Sequence, residues 1–89
     1  MTVAPQPDQV RRLVCRVFGE FGIHVTNVVD LHETLLVTSG RYVARSYRVN
    51  GFIAMWLLRA GIVQFYDCEG TMLRTVNLLK RLRPRPVAA

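Results

Sequence analysis

The sequence predicts an α+β domain, an N-terminal amphipathic helix packed on a four- to five-stranded antiparallel β-meander. Three observations predict it. Apolar residues between Asp8 and Phe21 recur at helical spacing; short apolar and β-branched runs follow from Glu33 onward, divided by glycine-containing turns; and the pair Asn50-Gly51 joins two of those runs. Asn-Gly is the strongest short hairpin signal, because both central residues of a type I′ turn need positive φ.

The helix is expected from about Asp8 to Phe21. Asp8 is a suitable N-cap, Val10, Leu13, Val14, Val17, Phe18 and Phe21 share one face, and Gly22 suits the left-handed residue that ends a helix. Gly19 costs roughly 1 kcal/mol relative to alanine inside a helix, which predicts a close approach to the sheet or an early end there. Residues 1–7 carry two prolines and no apolar period, and read as a mobile arm.

His24 to Val29 has strand propensity, although Asp30-Leu31-His32-Glu33 has the form of a capping box that could open a short helix through Leu36; strand is preferred. The meander strands are expected near Glu33–Thr38, Arg41–Val49, Phe52–Arg59, Ile62–Tyr66 and Met72–Leu78. Ser39-Gly40, Asn50-Gly51 and Ala60-Gly61 turn the chain, and Asp67-Cys68-Glu69-Gly70 suits a type I turn closed by a glycine bulge. The single domain spans 8–79, and residues 80–89 form a basic Arg/Pro-rich tail expected to be extended.

A two-residue turn fixes register, so Val49 should face Phe52, Tyr47 face Ala54, Arg45 face Trp56 and Val43 face Leu58. These residues occupy one side of the hairpin, and Tyr42, Ala44, Ser46, Arg48, Ile53, Met55, Leu57 and Arg59 the other. Both sides are rich in large apolar side chains. The small residues Ala44 and Ser46 make the second side the better seat for the helix, which leaves Tyr47, Phe52, Trp56 and Leu58 less covered. An apolar sheet face left open marks a partner site; the alternative is a strongly curled sheet in which the segment from Ile23 to Leu31 covers that second face.

Composition narrows the function classes. The chain has 89 residues, half of them hydrophobic, and a formal net charge of +6. Its longest apolar run, Phe52 to Leu58, is far short of the roughly 20 residues that span a bilayer. No basic and apolar leader precedes the helix, so a cytoplasmic location is expected. Cys15 and Cys68 lack the spacing of a disulfide framework or zinc site, and with His24 and His32 they form no ligand motif. Cys15 reads as a small hydrophobe and Cys68 as the more accessible thiol. Asp67 is expected to bond its own turn rather than serve as an acid. No P-loop, dinucleotide fingerprint, nucleophile elbow or paired carboxylate set is present, so no cofactor and no enzymatic activity are expected.

Function is therefore read as a non-enzymatic protein-interaction module, self-associating or bound to another protein, acting through Tyr47, Phe52, Trp56 and Leu58. The alternative is a small basic nucleic-acid-binding protein. There Arg41, Arg45, Arg48, Lys80, Arg81, Arg83 and Arg85 would contact phosphates while Trp56 or Tyr47 stacks bases. The pair Arg45 and Trp56 is expected to form a cation–π contact under either reading.

Overall fold

The computed structural model describes residues 5–26 and 30–81. One helix, α1 (Pro7–Glu20), precedes five strands, β1 (His32–Thr38), β2 (Arg41–Val49), β3 (Phe52–Leu57), β4 (Ile62–Tyr66) and β5 (Met72–Asn77), and a single helical turn, α2 (Leu78–Arg81), follows. The strands form one antiparallel sheet in sequence order, a meander with β1 and β5 at its edges.

α1 starts earlier than Asp8. Gln6 is its N-cap, Pro7 occupies the first turn, and Gln6 and Gln9 form a capping box in which the Gln6 N–H donates to Gln9 Oε1 at 3.1 Å. Proline is pre-organised for that first position because its missing N–H has no intrahelical partner to lose. At the other end Ile23 N–H donates to the Phe18 carbonyl at 2.8 Å and Gly22 N–H to the Gly19 carbonyl at 3.0 Å, with Gly22 at φ +87°. That double bond pattern is a Schellman cap. A Cβ on Gly19 would meet no atom within 4 Å, so no close approach requires the glycine.

The two-residue turns form as their sequences require. Ser39 and Gly40 (φ 52° and 74°) and Asn50 and Gly51 (φ 49° and 81°) all take the positive φ of type I′ turns. The register of β2 on β3 is the expected one from Val49↔Phe52 to Ala44↔Leu57, and the Leu58 N–H reaches the Val43 carbonyl at 3.2 Å. In the β4–β5 turn Gly70 N–H bonds the Asp67 carbonyl at 3.1 Å, while Asp67 Oδ1 accepts from the Glu69 and Thr71 N–H groups at 2.9 Å each. Asp67 thus has the structural role its turn predicts.

Three expectations are corrected. His24 to Thr26 form no strand, and Glu33 to Leu36 belong to β1 rather than to a helix opened at Asp30; Ile23 and Leu31 are buried in the core. Asn27 to Val29 lie outside the described residues, as do Met1 to Ala4. At the C-terminal end the extended reading fails at its start, because α2 is helical; Asn77 Oδ1 accepts the Leu79 N–H at 3.0 Å, a local cap.

The third correction concerns the covered face. Val10, Leu13, Val14, Val17 and Phe18 of α1 are buried with Tyr47, Ala54, Trp56, Val63, Phe65, Val76 and Leu78, and Phe52 and Leu58 pack against this cluster. The helix therefore sits on the Tyr47–Trp56 side, opposite to the side expected from the hairpin. Two rungs explain it. Across the sheet, Leu35, Arg45, Trp56, Val63 and Val76 align on the helix side, whereas Thr34, Ser46, Met55, Gln64 and Thr75 align on the other. Burying the second rung would desolvate Thr34, Gln64 and Thr75 beside the already buried Ser46; burying the first offers the larger apolar gain. Phe18 and Phe21 meet Phe65 edge-to-face at 5.5 and 5.9 Å, and Ala54 makes room beneath them.

Candidate functional site

Since Tyr47 and Trp56 are core residues, 0% and 5% exposed, and Phe52 and Leu58 are half-buried against the same core, the side chains singled out as an interaction face support the fold instead. The same burial removes Trp56 and Tyr47 as platforms for stacked bases. The basic residues are dispersed. Arg41 is exposed at the start of β2, Arg48 is exposed on the side away from α1, and Lys80 and Arg81 are exposed on α2. Arg83 and Arg85 lie outside the described residues.

Arg45 is held within the fold, as Arg11 and Arg74 are. Its Nη1 lies 3.2 Å from Glu33 Oε2, and its guanidinium carbon is 5.7 Å from the Trp56 ring centre, the expected cation–π contact. Glu33 Oε1 in turn accepts from Arg11 Nε at 3.1 Å and Arg11 Nη2 at 2.9 Å. This bridge ties α1 to β1 and β2. Burial alone would raise the Glu33 pKa, but hydrogen bonds from Arg11 and Arg45 and the Arg11 charge outweigh it, and the carboxyl is held below its ordinary value. Beneath it, the Tyr47 hydroxyl is buried with no hydrogen-bond partner of standard geometry. Desolvation pushes its pKa up, and the Glu33 charge adds to the shift. A neutral phenol and a carboxylate gripped by two guanidinium groups have no proton to exchange near pH 7; the cluster is a clamp.

No group of three or more His, Cys, Asp or Glu side chains able to hold a metal ion occurs among the described residues. Cys15 is half-buried against the core, and burial raises its thiol pKa, as suits a small hydrophobe. Cys68 is exposed in the β4–β5 turn, and a Cβ on Gly51 would come within 3.1 Å of its Cβ, so the turns of the two hairpins touch. An open depression of about 610 Å³ is lined by His24, Asp30, Arg48 and Asn50 beside the β2–β3 turn. It brings mixed charges together without a hydrogen bond among them.

What the fold leaves uncovered is the other side of the sheet. Leu36, Ala44, Leu57, Ile62 and Asn77 form one rung of it, and His32, Arg48, Ile53, Tyr66 and Met72 another, on either side of the Thr34–Thr75 rung. The small residues Ala44 and Ser46 are buried on this face, beside the half-exposed Met55 and Leu57. No second helix of the described chain packs here. The Tyr66 hydroxyl donates to Gln64 Oε1 at 2.8 Å, which satisfies one polar pair on the face, while Thr34 and Thr75 stay exposed to water. Towards the β1–β2 turn both sides of the sheet carry exposed apolar residues, Leu36 on this side and Leu35 on the helix side, with Val37, Tyr42 and Val43 beside them. Sequence reasoning placed an open apolar face on this sheet and put it on the wrong side; the signal that settles the side lies in Gln64 and Thr75, outside the hairpin.

No helix of the described residues is long and apolar enough to cross a membrane. No family model, curated protein or solved structure matches the chain.

Proposed function

We propose that the chain is a non-enzymatic protein-interaction module whose contact surface is the uncovered side of the sheet, centred on Met55, Leu57 and Ile62. One observation carries the reading: among the described residues a helix covers one side of the five-stranded sheet, and aliphatic side chains are half-exposed on the other. A surface of this kind gains most by losing water to a partner. The free thiols of Cys15 and Cys68 support a reducing compartment such as the cytoplasm.

The test compares the wild type with Met55→Glu, at the centre of the open face, and Arg12→Glu, on the exposed side of α1. Proteins retained by wild type and Arg12→Glu are expected to be lost from Met55→Glu, with all three chains giving the same circular dichroism spectrum. Identical retention by Met55→Glu would overturn the reading.

A second reading keeps the net charge of +6 and the exposed Arg41, Arg48, Lys80 and Arg81 as phosphate contacts, without base stacking. Binding of labelled single-stranded RNA that persists at physiological salt would support it, and binding confined to low salt would reduce it to nonspecific attraction.

A further inference from the structure

β1 is an edge strand of the sheet, and among the described residues nothing covers its outer edge. From Thr34 to Thr38 it has no charge, proline or glycine, and all five residues are exposed, with Leu35 at 42%, Leu36 at 39% and Val37 at 55%. The irregularity in its pairing with β2 leaves Val43 as the extra residue, so β1 itself runs straight along the edge.

The direction of its free backbone groups follows from the turns. Val49 and Phe52 close a two-residue turn, so Val49, Tyr47, Arg45 and Val43 direct their N–H and C=O groups to β3, as the Leu58-to-Val43 bond shows. Arg48, Ser46 and Ala44 then serve β1 through His32, Thr34 and Leu36. Glu33, Leu35 and Val37 are left with their backbone groups pointing outward.

The exposed segment is also chemically palindromic. Thr34-Leu35-Leu36-Val37-Thr38 reads alike in both directions about Leu36. An antiparallel copy placed with the two-fold axis at Leu36 sets Leu35 against Val37 twice, Thr34 against Thr38 twice, and Leu36 against itself. Every rung matches like with like, and the outward groups of Leu35 and Val37 meet their counterparts. The same arrangement brings the Asp30–Glu33 end of each copy alongside the Ser39–Arg41 turn of the other. Asp30 and Arg41 are exposed and form no ion pair within the described chain, so opposite charges flank the seam at both ends.

We infer that the chain self-associates through antiparallel β1–β1 pairing centred on Leu36, which joins two copies into one ten-stranded sheet. A second copy is the occupant because the palindrome and the end charges complement themselves, which an isologous two-fold contact requires. The seam is short and small for a protein interface, so the dimer dissociates on dilution in a roughly micromolar range. The pairing uses the backbone edge of β1 and meets the open face only at its rim, through the Leu36 side chain; Met55, at the centre of that face, lies two strands away, so its variant tells the two surfaces apart.

Sedimentation equilibrium of the full chain over a concentration series tests it. Wild type is expected as a reversible dimer, and Leu36→Lys and Leu36→Glu, each placing like charges on the axis, as folded chains whose self-association is weaker by roughly a hundredfold. Mixing the two variants is expected to restore a heterodimer, because position 36 faces position 36. Met55→Glu is expected to dimerise as wild type does. A monomeric wild type, a dimer indifferent to both Leu36 variants, or a mixture that fails to associate would each overturn the edge pairing. Loss of the dimer in Met55→Glu alone would move self-association to the open face.

Discussion

The two sides of the sheet share every strand and differ in what happened to nearly equal stores of apolar side chains. On one side Tyr47, Trp56, Val63, Phe65 and Val76 are sealed under α1; on the other Ile53, Met55, Leu57, Ile62 and Tyr66 remain half-exposed. Apolar content did not decide between them. Polar residues did, through the Thr34, Ser46, Gln64 and Thr75 rung, which a helix could cover only by stripping water from groups it cannot satisfy. A sheet with one helix to spend is covered where covering costs least.

The comparison breaks most visibly by truncation. Phe65→Ala removes the ring that Phe18 and Phe21 pack against, and is expected to cost about 3–5 kcal/mol in urea unfolding. Met55→Ala, on the same sheet but the other side, is expected to cost about 1 kcal/mol or less, because its side chain is partly solvated already. Equal costs would mean that the open side is sealed in solution.

Acid sharpens the contrast, since the covered side alone is locked by a charged clamp. Glu33 has a depressed pKa in the folded chain, so its contribution is fully present above the ordinary carboxyl value of 4.5 and is lost as pH falls through the folded value. The melting temperature of wild type is therefore expected to fall below about pH 4.5. Glu33→Gln should melt lower at pH 7 and show a smaller acid loss; an unchanged acid profile would remove Glu33 from the account.

The smallest expected effect sits at the Tyr47 hydroxyl, buried against the Glu33 carboxylate without a hydrogen bond of standard geometry. Tyr47→Phe removes that hydroxyl and its weak hold on Glu33 together, so stability at pH 7 is expected to change by about 1 kcal/mol or less. The raised phenol pKa makes its contribution present below pH 10 and lost as the pH climbs towards the folded value. The variant is expected to lose less stability than wild type above pH 10, and an equal alkaline loss in both would assign that loss to other groups.

Much of the fold is legible in single residues. Asn50-Gly51 alone fixes the register from Val49↔Phe52 to Ala44↔Leu57, and Asp67 with Gly70 specifies the last turn, because those conformations admit few residue types. The covered side was not legible from the hairpin, where both sides carry large apolar residues; it becomes so only when β4 and β5 are aligned and Gln64 and Thr75 fall beneath Met55. α2 went unread because the downstream Arg-Pro pattern argues for extension, while the capping signal at Asn77 is a single residue. The palindrome in β1 was present in the sequence too, but it has meaning only once topology places that strand at an edge.

The order of elements along the chain has a kinetic consequence. Each strand of the meander pairs with the strand just made, so the sheet can zip up through short loops with little entropy spent per step. α1 cannot share in that progress. Its seat is built from Tyr47, Trp56, Phe65 and Val76, spread over four strands, and its apolar stripe stays wet until β5 emerges from synthesis. Because α1 precedes every strand it docks on, its apolar stripe is the surface with most to hide until β2 to β5 have paired.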